Sequence, residues 1–190
     1  MHDLVLEIVA LPPDRELTVL RPRDSEALLD EHAFEDEEFL PYWAELWPSG
    51  VALAQAIGGR ALKGARVVEL GCGLGLPSIA AALAGGRVLA TDWSQAALDL
   101  LSDNAARNGA KLETALVRWD APGALLERAP FDLVLAADVL YERRNVPLLA
   151  DLLPRLGSEV LLADPGRPAL EDFLGRTGSV WARPPVFRLA

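Results

Sequence analysis

Cysteine, histidine and lysine are nearly missing from this chain: its 190 residues hold one cysteine, two histidines and two lysines. The single thiol, Cys72, leaves no intrachain disulfide to form and gives no sign of an oxidising compartment. His2 and His32 have no partners at metal-ligand spacing, so no metal site is expected. Long apolar runs are missing too. Acids, arginines and prolines interrupt every stretch before it reaches the roughly 18 apolar residues that a membrane span requires. The first segment, Leu4 to Val9, is broken by Glu7 and carries neither a basic leader nor a small-residue cleavage site, so it reads as a strand and not as a signal. Internal repeats and low-complexity linkers are absent as well. The expectation is a soluble, cytoplasmic chain without a membrane partner.

What is present is apolar material and unevenly placed charge. Hydrophobic residues make up 51% of the chain, enough for one well-buried core and, at this length, too little for two full domains. Residues 1–48 hold 13 acids and three arginines, whereas residues 49–190 hold 15 acids and 15 bases, so the whole net charge of -10 sits in the first quarter. That division is read as an acidic N-terminal extension, 1–48, packing on a single globular unit, 49–190. The densest acidic run, Glu35-Asp36-Glu37-Glu38, disfavours a nucleic-acid partner and would steer a basic one toward its neighbourhood. It also reads as a solvated face that aids solubility.

Apolar runs alternate with helical patterns. Strands are predicted at 66–70, 87–91, 112–117, 132–137 and 159–163, and helices at 49–57, 76–84, 94–107, 122–128, 142–156 and 167–175. Ser94 is a candidate N-cap and Gly109 a candidate helix stop. A hairpin is expected around Pro12-Pro13-Asp14 and another closes the chain, Val180 to Ala182 with Val186 to Leu189. Parallel strands this apolar need cover on both faces, which predicts an α/β fold with a doubly wound, mostly parallel sheet. Ligands bind such sheets beyond the carboxyl ends of the strands, where the strand order reverses. That rule draws Gly71-Cys72-Gly73, Asp92, Asp120, Asp138 and Asp164 together, since each ends a proposed strand.

The strand Arg66 to Leu70 runs into Gly71-Cys72-Gly73-Leu74-Gly75, glycines that let a ligand approach the backbone. A dinucleotide, a nucleoside or a phosphate could lie there. The spacing is Gly-x-Gly-x-Gly, not the Gly-x-Gly-x-x-Gly of a dinucleotide site, and Asp92 follows where a carboxylate can accept both ribose hydroxyls. With Glu69 and Asp92 beside it, the turn suits a positively charged ligand better than a pyrophosphate.

Glu69-Leu70-Gly71-Cys72-Gly73-Leu74-Gly75 and Leu89-Ala90-Thr91-Asp92 resemble the class I, seven-strand S-adenosylmethionine-dependent methyltransferases. Pro41-Tyr42-Trp43-Ala44-Glu45-Leu46-Trp47-Pro48-Ser49-Gly50, Arg118-Trp119-Asp120 and Asp138-Val139-Leu140-Tyr141 look like the protein lysine methyltransferase subgroup acting on the electron-transfer flavoprotein β subunit or valosin-containing protein, with nicotinamide N-methyltransferase a more distant relative. The resemblance implies a seven-strand Rossmann-like sheet and S-adenosylmethionine as cofactor. It places Gly71, Cys72 and Gly73, with Glu69, at the cofactor's methionine part, Asp92 and Trp93 at its ribose end, Trp119 and Asp120 beside adenine, and Trp47 and Ala137 along the pocket walls.

Each assignment has a plainer alternative. Trp47 and Trp119 also read as core tryptophans, Asp120 and Asp138 as helix caps, and Tyr141 as a residue packed on the sheet. In the catalytic reading, Asp138 orients the incoming amine and takes its proton or balances its charge, with Tyr141 walling the channel. The acceptor is then a lysine on a basic protein, or a small amine. Two rivals differ in class. A nicotinamide-dependent reductase would need the longer glycine spacing and a basic residue that neither Lys63 nor Lys111 supplies, and a non-catalytic cofactor-binding protein would not need the Asp138-x-x-Tyr141 element.

Overall fold

The computed structural model describes residues 3–25, 28 and 41–178, together with the backbone of 186–188. The acidic run Glu35 to Glu38 and the expected strand Val180 to Ala182 lie outside the described residues. None of the described helices is long and apolar enough to cross a membrane.

The chain opens with an antiparallel hairpin, β1 (Leu4–Leu11) and β2 (Arg15–Pro22). A 3-10 turn (Tyr42–Ala44) leads into α1 (Pro48–Gly58). Then follow β3 (Arg66–Leu70), α2 (Leu76–Leu83), β4 (Arg87–Asp92), α3 (Gln95–Arg107), β5 (Glu113–Leu116) and the single turn α4 (Gly123–Leu126). The second half is β6 (Leu133–Ala137), α5 (Asn145–Leu156), β7 (Val160–Asp164), α6 (Pro168–Thr177) and β8 (Val186–Arg188). Apart from the closing hairpin, the expected elements are found within a few residues, the helix expected from 142 beginning at Asn145. Ser94 caps α3 through its side chain, and Gly109 ends the turn after it at φ +67°.

Six strands form one parallel sheet in the order β5-β4-β3-β6-β7-β8. The expected count of seven is met by six among the described residues. Val186–Arg188, expected as a hairpin arm, pairs in parallel with β7. Strand order reverses between β3 and β6, so the crevice lies past Leu70 and Ala137.

Strand alternation splits the core in two. Val67, Leu133 and Leu135 face the layer built from α1, α2 and the hairpin, while Val68, Val134 and Ala136 face α5 and α6. The hairpin joins the first layer through Val9, Leu11, Leu17 and Val19, all buried. Strand β2 is held by two amides one turn apart, Asn104 on α3 and Asn108 at its C-cap. Asn104 Oδ1 accepts from Leu20 N (2.7 Å) and its Nδ2 donates to Leu20 O (3.1 Å); Asn108 does the same with Thr18 N (2.9 Å) and O (2.8 Å). A helix face thereby satisfies the backbone groups that a further strand would otherwise pair.

Candidate active site

The sheet's carboxyl edge opens into a cavity of about 390 Å³. From β3 and the turn after it come Glu69, Gly71, Cys72 and Gly73; from the end of β4, Asp92 and Trp93; from beyond β5, Trp119 and Asp120. Ala137, Asp138 and Tyr141 border it from β6 onward, and Trp47 from the start of α1. Every residue that the resemblance placed at the site therefore lines this one cavity, and of the strand-end acids only Asp164 does not.

The glycine turn is shaped by its neighbours. Gly73 has φ +48°, and its N–H donates to Asp92 Oδ2 at 3.0 Å. A Cβ on Gly71 would stand 3.1 Å from the Trp119 ring, so the absent side chain leaves the indole resting on the turn itself. Gly75, at φ +85°, starts α2 and lies against Leu101.

Asp92 is 4% exposed and its second oxygen accepts from Ser94 N at 3.0 Å. Burial raises its pKa, and the N–H groups of Ser94, Gly73 and Trp93 oppose that rise. Glu69 lies deeper, 1% exposed, with Oε2 accepting from Ser78 N (2.8 Å) and from the Ser78 hydroxyl. Burial pushes its carboxyl up to about 8 against those hydrogen bonds. Glu69 is thus a neutral brace between β3 and α2 at pH 7, where the sequence had it as an open anion beside the ligand. Burial, then Asp92 and Glu69, also raise the Cys72 thiol, so it offers no thiolate nucleophile.

Several plainer alternatives fail. Trp47 is 36% exposed, with Nε1 donating to Tyr42 O at 2.7 Å, so it is not a core tryptophan, while the half-buried Trp119 packs against the core and also borders the cavity. No side chain caps α4, and Asp120 instead pairs at the rim with Arg118 (2.9 Å). Asp138 caps nothing either: α5 starts seven residues later without a side-chain cap. Asp138 is 7% exposed at φ +58°, its Oδ1 pairs with Arg167, and its Oδ2 is buried with no partner among the described residues. Asp164, expected at the site, is fully buried and braces Arg167 instead of bordering the cavity.

Tyr42, Trp43 and Arg167 also border the cavity and were not singled out from sequence. Tyr42 packs between Trp47 (ring centroids 6.4 Å) and Tyr141 (5.2 Å), making an aromatic rim. Their signals were the Pro41-to-Gly50 run and an arginine closing Asp164-Pro165-Gly166-Arg167 just past a strand end.

The family model described as lysine methyltransferase matches residues 33–164. The chain belongs to this family. The electron transfer flavoprotein beta subunit lysine methyltransferase of Xenopus laevis is 35% identical over 135 residues, covering 67% of this chain and 53% of that protein. Protein N-lysine methyltransferase METTL21A of Danio rerio is 32% identical over 152 residues, covering 75% and 69%. The chain thus spans about half the length of the first of these relatives. The solved 16S rRNA N2 G1207 methyltransferase of T. Thermophilus, in complex with AdoMet and guanosine, superposes with a TM-score of 0.59 at 20% identity, covering 90% of this chain and 46% of that one, which shows a shared fold.

The cofactor of this methyltransferase family is S-adenosylmethionine, and the residues present fit it. The glycine turn offers unobstructed backbone, Asp92 an acceptor fixed by two N–H groups, and the exposed rings apolar faces for a cationic nucleoside.

Proposed function

We propose that this chain methylates the ε-amine of a lysine on a protein. The observation that carries the reading is the buried, unpartnered Asp138 Oδ2, set on the same crevice as the glycine turn and the Tyr42–Tyr141 rim. An acceptor oxygen left without a donor at that depth costs stability, and an incoming ammonium or amine supplies the missing donor.

When bound, S-adenosylmethionine supplies an activated methyl group on a sulfonium. Gly71, Gly73, Asp92, Trp47, Trp119 and Ala137 hold and orient it in this reading. A lysine arrives protonated, with a solution pKa of about 10.4, and must lose its proton to expose an electron pair. Asp138 Oδ2 accepts the ammonium N–H, fixes the nitrogen and takes that proton, which leaves the amine's electron pair free. Tyr141 walls the approach and is not the base: burial, then the charge of Glu142, pushes its phenol up to about 12, so it stays protonated. The rim rings exclude water and offer π faces to the cation. The acidic first quarter of the chain favours a basic protein over an acidic one.

Tritiated S-adenosylmethionine incubated with the protein and a fractionated cell extract tests the reading. Label recovered as methyl-lysine after acid hydrolysis supports it; label confined to small molecules removes protein lysine as the acceptor.

A further inference from the structure

Arg167 holds a position that the transfer chemistry does not by itself require. It precedes α6, directly after Gly166, and both backbone N–H groups donate to Asp164 Oδ1, at 2.7 Å from Gly166 and 2.8 Å from Arg167. Its Nη1 reaches Asp164 Oδ2 at 3.3 Å and also bonds Asp138 Oδ1. Asp164 is completely buried, and Asp138 nearly so. One guanidinium thus stands between two buried carboxylates carried by neighbouring parallel strands.

Of the four carboxylate oxygens in this group, three have donors and one, Asp138 Oδ2, has none among the described residues. Two carboxylates against one guanidinium also leave one negative charge to be matched. An acceptor ammonium supplies both the missing donor and the missing charge. Asp138 itself is the one described non-glycine residue at positive φ, anchored by its N–H to Ala163 O at 2.9 Å. Its backbone is therefore fixed, and the remaining freedom is rotation of the carboxylate, which the guanidinium stops.

We infer that Arg167, braced by Asp164, is a positioning residue that turns the Asp138 carboxylate so that Oδ2 is the oxygen left for the acceptor nitrogen. The inference rests on the reading of Asp138 given above. A guanidinium suits the task because Nη1, held in a rigid plane, keeps fixed directions to both acids, whereas a lysine provides one freely rotating point charge.

Arg167→Met and Arg167→Lys test it, with Asp138→Asn alongside. The measurements are S-adenosylmethionine affinity by calorimetry, melting temperature, and the rate and apparent KM for the donor, using cell-extract protein as acceptor. Arg167→Met is expected to keep donor affinity and apparent KM within about threefold while the rate at saturating donor falls about 100-fold, the size of a lost catalytic contact, and Arg167→Lys to recover about tenfold of that. Crystals of Arg167→Met are expected to show the Asp138 carboxylate rotated. If Asp138→Asn transfers at the wild-type rate, the parent reading falls. If Asp138→Asn is inactive while both Arg167 variants keep the wild-type rate, or lose donor affinity in proportion to rate, the positioning role alone falls. Should Arg167→Met not fold, Arg167→Lys decides: a folded variant about tenfold slower with unchanged donor affinity supports the role, and one at wild-type rate overturns it.

Discussion

Glu69 and Ser78 are joined twice, the Glu69 carboxylate accepting from both the backbone N–H and the hydroxyl of Ser78. The pair ties the end of β3 to the first turn of α2 across the glycine loop. Burial raises the Glu69 pKa from 4.5 to about 8. In the unfolded chain the group ionises near 4.5, so between these values the folded state holds a proton that the unfolded state has released. Its contribution is fully present below 4.5 and is lost as pH rises through about 8. Glu69→Gln, which keeps an acceptor for Ser78, should flatten the fall in the urea midpoint between pH 5 and pH 8. An unchanged slope would assign the pH dependence elsewhere.

Asp92 has both oxygens engaged by backbone N–H groups, so its substitution disturbs the turn as well as the ligand. Asp92→Ala should weaken S-adenosylmethionine by about 100-fold or more, the loss of charge-assisted hydrogen bonds at a buried site. Asp92→Asn should do little better, because its NH₂ must face the N–H of Gly73 or Ser94. Isothermal titration decides, and near-normal affinity in either variant removes Asp92 from the cofactor site.

Gly75→Ala places a Cβ 2.5 Å from Leu101 Cδ1 at φ +85°. Left-handed strain and overpacking together should cost roughly 2–4 kcal/mol in denaturant titrations. Gly123→Ala, with open space around the site, is the control expected within about 0.5 kcal/mol.

Asn104 is fully buried and bonds both Leu20 backbone groups and Leu74 O. Asn104→Ala should destabilise the fold by roughly 2–4 kcal/mol, through buried backbone groups left unpaired. Amide exchange should speed selectively at Leu20. Uniform change across the sheet would show that the helix amides do not anchor the hairpin.

Local pattern made most of the fold legible. The run Val67 to Leu70, apolar but for Glu69, the glycines after it and the capping Ser94 carry their conformation in their own side chains, through apolarity, positive φ and a short polar oxygen. Most site residues were legible for the same reason, since a parallel sheet collects its strand ends at one edge. Asp164 shows the limit: it ends a strand as Asp92 does, yet its oxygens turn back to Gly166 and Arg167.

Sequence alone determined the architecture, the crevice and the glycine turn, because these follow from periodicity and backbone sterics within a few consecutive residues. Only the tertiary structure decided the protonation of Glu69, the aromatic rim of Tyr42 and Tyr141, and the Asp138–Arg167–Asp164 group. Burial depth and the choice between two carboxylate oxygens depend on contacts between segments distant along the chain. No local pattern encodes which donor arrives from another strand end.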